Sequence, residues 1–70
     1  MYVEWNGNVV SVRQDDSCLY KKFSMQSEVK CAAISGDGPK AHVTIQLMDG
    51  HTYVYMADGT IITHSYSRPR

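Results

Sequence analysis

Two histidines and three tyrosines crowd one stretch of the chain, DGHTYVYMADGTIITHSY, residues 49–66. Imidazoles can hold a metal or move a proton, and phenol rings can stack or hydrogen-bond. Across a turn, His51 and His64 would be diagonal neighbours, with Cα atoms roughly 7–8 Å apart. That is close enough to share a zinc ion. A third ligand is missing, because the surrounding residues are Tyr, Met and Gln. The CxxC and HxxxH spacings of zinc sites do not occur either. The reading is therefore no metal and no cofactor.

Nucleophilic catalysis fares no better. Cys18 and Cys31 have no histidine near them in sequence, whereas a reactive thiol or hydroxyl needs a base held by a further group. The carboxylates Asp37, Asp49 and Asp58 sit in turn-forming contexts, which explains them without chemistry. Gly36-Asp37-Gly38 lacks the Lys-Ser/Thr that follows phosphate-binding glycines. A non-enzymatic protein is expected.

Binding remains. Tyr and Met cover much area at low entropic cost and are enriched at interfaces. Seven basic and seven acidic side chains in 70 residues leave no net charge, which argues against non-specific attraction to nucleic acid. A chain of this size forms one domain, close to the lower limit for folding unaided, where oligomerisation is a common remedy. The domain is expected to span 1–70, with a short basic tail at 67–70. The start, Met1-Tyr2-Val3-Glu4-Trp5, has no basic and apolar leader, and no apolar run approaches the ~20 residues of a membrane helix. A cytoplasmic protein with reduced thiols is the expectation.

Turn chemistry sets the elements that position these residues. Asn6-Gly7 lies between two β-favouring runs and predicts a hairpin. Gln14 to Ser17 reads as a polar turn and Gly36 to Lys40 as a loop. Residues 24–34 admit a short helix, since Ala32-Ala33 favours one. Alternation of Val29, Cys31 and Ala33 tips the reading to strand. Ala41, Val43, Ile45 and Leu47 alternate with polar neighbours, a half-buried strand, and Asp49-Gly50 and Asp58-Gly59 then turn the chain twice. The sum is an all-β, antiparallel meander of six to seven short strands, curling into a small barrel or sandwich.

Treating both Asp-Gly pairs as two-residue turns sorts the side chains into faces. Val43, Ile45, Leu47, Val54, Met56 and Ile61 form an aliphatic face that reads as core. Thr44, Gln46, Met48, His51, Tyr53, Tyr55, Ile62, His64 and Tyr66 form the opposite, amphipathic face. With Asn6-Gly7 as a turn, Met1, Val3, Trp5, Val10 and Val12 make a second core patch.

The expected function is that of a small binding module. Gln46, Met48, His51, Tyr53, Tyr55, His64 and Tyr66 would engage a protein partner or a second copy. Accessory or inhibitory proteins of phages and mobile elements have this size and character. The alternative is a small β-barrel that binds nucleic acid by base stacking, a mode that also wants a positive groove. Membrane partners are not expected.

Overall fold

The computed structural model describes residues 1–15, 18–36 and 38–67. Within them the chain is all-β, with strands β1 (Tyr2–Asn6), β2 (Val9–Asp15), β3 (Cys18–Ser24), β4 (Val29–Ser35), β5 (His42–Leu47), β6 (His51–Met56) and β7 (Ile61–Tyr66). One 3₁₀ turn, Gly38–Lys40, follows β4. The stretch with a helical alternative is strand from Val29 onward. The polar turn expected before Cys18 and the basic tail both include residues outside the described set, Asp16 and Ser17 in one and residues 68–70 in the other. Among the described residues no helix is long and apolar enough to cross a membrane.

The strands form two antiparallel sheets, ordered β1-β2-β3 and β4-β5-β6-β7. The core lies between them. Val10, Val12, Phe23 and Met25 come from the first sheet and the loop after it, and Val29, Val43, Ile45 and Leu47 from the second, with Ala41 and Ala57 at its margin. Each large aliphatic side chain that is fully withdrawn from water contributes about 1.5–3 kcal/mol. β1 lies beside β4, and among the described residues each of the terminal strands β1, β3, β4 and β7 has one hydrogen-bonded neighbour. The sheets therefore do not close into a barrel.

The links between elements are pinned by backbone hydrogen bonds. Met25 N–H donates to the Asn8 carbonyl and Val29 N–H to that of Gly7, each at 2.8 Å. Asn8 Nδ2 returns a bond to the Met25 carbonyl at 2.9 Å. The loop between the sheets is thus clamped to the first hairpin. Met48 N–H reaches the Glu28 carbonyl, and Ala57 N–H that of Ala41, also at 2.8 Å.

The first hairpin turns on Gly7-Asn8 rather than Asn6-Gly7, because Asn6 pairs with Val9. Gly7 has φ 60° and Asn8 does not have positive φ, the pattern of a II′ turn with glycine first. The register moves by two residues, so Val3 faces Val12 and Trp5 faces Val10. An even shift leaves the faces unchanged: Val10 and Val12 are buried with Met1 and Val3 packed against the core, whereas Trp5, expected in that patch, is exposed and lies outside it.

The β5–β6 hairpin overturns the expected faces. Gly50 and Gly59 have φ of 98° and 103°, and among the described residues no non-glycine has positive φ. A two-residue I′ turn would need positive φ at the aspartate as well. Each loop is instead three residues, Met48-Asp49-Gly50 and Ala57-Asp58-Gly59. Gly50 N–H bonds back to the Leu47 carbonyl at 3.2 Å, and Gly59 N–H to that of Met56 at 2.9 Å. The aspartates hold these loops, Asp49 Oδ1 accepting from His51 N–H and Asp58 Oδ1 from Thr60 N–H. Val43 therefore pairs with Tyr55, Ile45 with Tyr53 and Gln46 with Thr52. One residue of slip moves every β6 side chain to the other face. His51, Tyr53 and Tyr55 join Val43, Ile45 and Leu47, while Val54 and Met56 join Thr44 and His42 outside.

Candidate binding face

The residues of the Tyr/His set divide between two surfaces. Gln46 is exposed on the outer face, where its Oε1 accepts a weak bond from Cys31 Sγ at 3.3 Å. Met48 is exposed in the β5–β6 turn. Both border a shallow depression with Lys30 and Thr52 and do not meet the tyrosines. Cys31 and Cys18 are thiols, with no disulfide between them.

The other five residues come together. β6 and β7 pair as expected over most of their length: His51 with Tyr66, Tyr53 with His64 and Val54 with Thr63. Here the three-residue loop is offset by a bulge next to Tyr55, where Ile61 is the partner, and the register recovers. Beyond β7, Ser67 N–H donates to the Gly50 carbonyl at 2.9 Å. Strand alternation then makes Thr52–Ser65 a hydrogen-bonded pair, and Tyr53–His64 and His51–Tyr66 non-hydrogen-bonded pairs, whose side chains approach most closely.

The result is a continuous row of rings. Phe23 of β3 lies 4.8 Å from Tyr55, centroid to centroid, and Tyr55 lies 5.9 Å from Tyr53. Tyr53 stacks on His64 at 4.3 Å with the planes 2° apart. His64 lies 4.9 Å from His51, and His51 lies 4.5 Å from Tyr66. His51 Nδ1 and His64 Nε2 share a hydrogen bond at 2.8 Å. The row starts under cover and runs into solvent. Tyr55 and Tyr53 pack against the core, and Gln26 Nε2 donates to the Tyr53 hydroxyl at 2.8 Å. Tyr66 is 55 % exposed at the far end. Burial of the Tyr55 phenol raises its pKa, with a smaller push from Tyr53. Phe23 and Gln26, which anchor the covered end, are absent from the set read from sequence. Phe23 comes from β3 and Gln26 from the loop after it, far away in sequence, and no local pattern ties them to it.

The two imidazoles bring the nitrogens of a metal site but not the rest of one. Among the described residues no three of His, Cys, Asp or Glu gather as ligands. A second open depression lies on the outer side of the first sheet, lined by Glu4, Trp5, Asn6, Val9, Ser11 and Lys22. Glu4 there is engaged by Arg13 Nε at 2.9 Å.

β7 adds a backbone surface to the row. All six of its residues are exposed, and within the described residues it pairs with β6 alone. Its sequence, IITHSY, holds no Lys, Arg, Asp, Glu, Pro or Gly. Proteins commonly guard open strand edges with charges, Pro or bulges. Of the other terminal strands, β3 carries Lys21 and Lys22, and β1 and β4 lie beside each other. Compared with family models, curated proteins and solved structures, the chain matches none.

Proposed function

We propose that this protein is a non-enzymatic binding module that engages a protein partner through β7 and the ring row beside it. The observation that carries this reading is β7 itself. It is an open strand edge without charge or proline, its bulge confined to the Ile61–Ile62 end, with Ile61, Ile62 and Tyr66 each about half exposed (53, 46 and 55 %). An extended partner segment could add a strand there, taking affinity from backbone hydrogen bonds and specificity from alternate side chains. His64 and Tyr66 would flank that segment with aromatic surface, and the covered tyrosines hold them in place. The row carries no Lys or Arg, so the nucleic-acid alternative lacks its positive groove.

The test is a photo-crosslinking amino acid at position 66, with position 33 on the outward face of β4 as control. Protein adducts at 66 and none at 33 are the expected outcome. Equal labelling at both positions, or none at 66, overturns the reading.

A further inference from the structure

We infer that the partner on β7 is a second copy of the same chain, paired antiparallel with His64 opposite His64 across a two-fold axis. The inference rests on the binding role of β7 proposed above and adds the occupant and its register.

The argument begins with which backbone groups face outward. Ser67 N–H points to β6, at the Gly50 carbonyl. In a strand the N–H and C=O of successive residues alternate in direction. Ser65 and Thr63 therefore also point to β6, and Tyr66, His64 and Ile62 present theirs to the open edge. Ile62 is the extra residue of the bulge opposite Tyr55, and the alternation ends with it, which limits the usable edge to those three residues.

A two-fold axis normal to the sheet pairs position i with position j so that i + j is even. Of the even registers, the one centred on His64 matches all three outward residues to outward residues: Ile62 to Tyr66, His64 to His64, and Tyr66 to Ile62. A register centred on Thr63 would set Tyr66 against Thr60, whose carbonyl is already taken by Met56 N–H at 2.7 Å. The favoured register is also self-complementary in its side chains. It sets an aliphatic chain against an aromatic ring twice, a stabilising cross-strand pair, and Thr63 against Ser65 twice. The strand has no charged residue to repel its own copy.

This geometry joins the two four-stranded sheets into one of eight strands with both ring rows on the same side. The rows meet at the axis, where each His64 is already held by Tyr53 and His51 of its own chain. Isologous contacts of this kind are the commonest basis of homodimers. The edge is removed from solvent, which is how a strand edge without charges escapes open-ended association.

The register gives a decisive test by sedimentation equilibrium on the intact chain. Wild type is expected at twice the chain mass at high micromolar concentration. Ile62→Lys and Tyr66→Glu each place a charge against an apolar partner and are expected to give monomers. The double variant sets the introduced lysine against the introduced glutamate of the other copy and is expected to restore the dimer. Within one chain positions 62 and 66 are about 13 Å apart along the strand, so restoration reports the contact between copies. Both side chains are exposed, and circular dichroism confirms folding of each variant. A monomeric wild type, dimeric single variants, or a folded double variant that stays monomeric overturns the inference. Crosslinks from position 66 to a different protein, with a monomeric wild type, retain the binding role and remove self-pairing.

Discussion

His51 Nδ1 lies 2.8 Å from His64 Nε2, across two neighbouring strands, with both rings flanked by tyrosine. A hydrogen bond between two imidazole nitrogens needs one N–H and one bare lone pair, so a single proton sits between them. Nitrogen-resolved imidazole spectra at neutral pH should show one of these two nitrogens protonated and its neighbour bare. Two protonated nitrogens at neutral pH would contradict the pairing.

The three-residue β5–β6 loop makes an energetic claim. Tyr55 belongs to the core side, against Phe23, and Val54 to the outer side, opposite Thr44 and Thr63. Tyr55→Ala should cost about 2 kcal/mol or more, through lost burial and a lost aromatic pair. Val54→Thr should cost under about 1 kcal/mol, as substitutions away from the core do. Ile45→Ala sets the upper reference at about 2–5 kcal/mol, since Ile45 is fully buried. Urea unfolding midpoints rank the three. A Val54 variant more damaging than the Tyr55 variant would restore the two-residue turn.

This hairpin also shows how far the sequence could be read. Val, Thr, Tyr and Ile runs between glycine turns sufficed for the all-β class, and alternation from Ala41 to Leu47 located four of the ten buried core residues among those described. Asp-Gly does not fix register, because it suits a two-residue turn and the last two positions of a three-residue one. The choice rests on the φ of a single aspartate, which tertiary packing decides. At β6–β7 the same ambiguity is harmless, since the bulge beside Tyr55 offsets it. At β5–β6 nothing offsets it, and the tyrosines change face. Sequence thus brought His51, Tyr53, Tyr55, His64 and Tyr66 together, but on the face away from the aliphatic core rather than on its side, and joined to them Gln46, which lies on the outer face, and Met48, which lies in the turn. The open edge of β7 was illegible for another reason. It depends on the order of strands in the sheet, which is non-local.

The β6–β7 turn is tied to acid stability. Asp58 Oδ1 accepts from Thr60 N–H at 2.9 Å. Backbone and side-chain hydrogen bonds from Thr60 lower the Asp58 pKa, and Lys21 assists. A carboxyl depressed in the folded state gives stability that is present above its unfolded value, about 3.9, and is lost as pH falls through the folded value. Asp58→Asn keeps an acceptor oxygen and removes the titration. The variant should unfold in acid with a shallower dependence on pH below about pH 4. An unchanged slope by fluorescence would show that Asp58 does not contribute.

Tyr55 sets the opposite limit. Burial raises its pKa above the ordinary phenol value, and Tyr53 adds to the effect. The unfolded chain then releases the Tyr55 proton at lower pH than the folded one. Stability is complete below about pH 10, the unfolded value, and is lost as pH rises through the folded value. Phenolate absorbance should show one tyrosine titrating later than the others while the fold persists. Tyr55→Phe should remove that late step and flatten the alkaline loss of stability, at little cost to the contact with Phe23. A late step that survives in Tyr55→Phe would assign it to another ring.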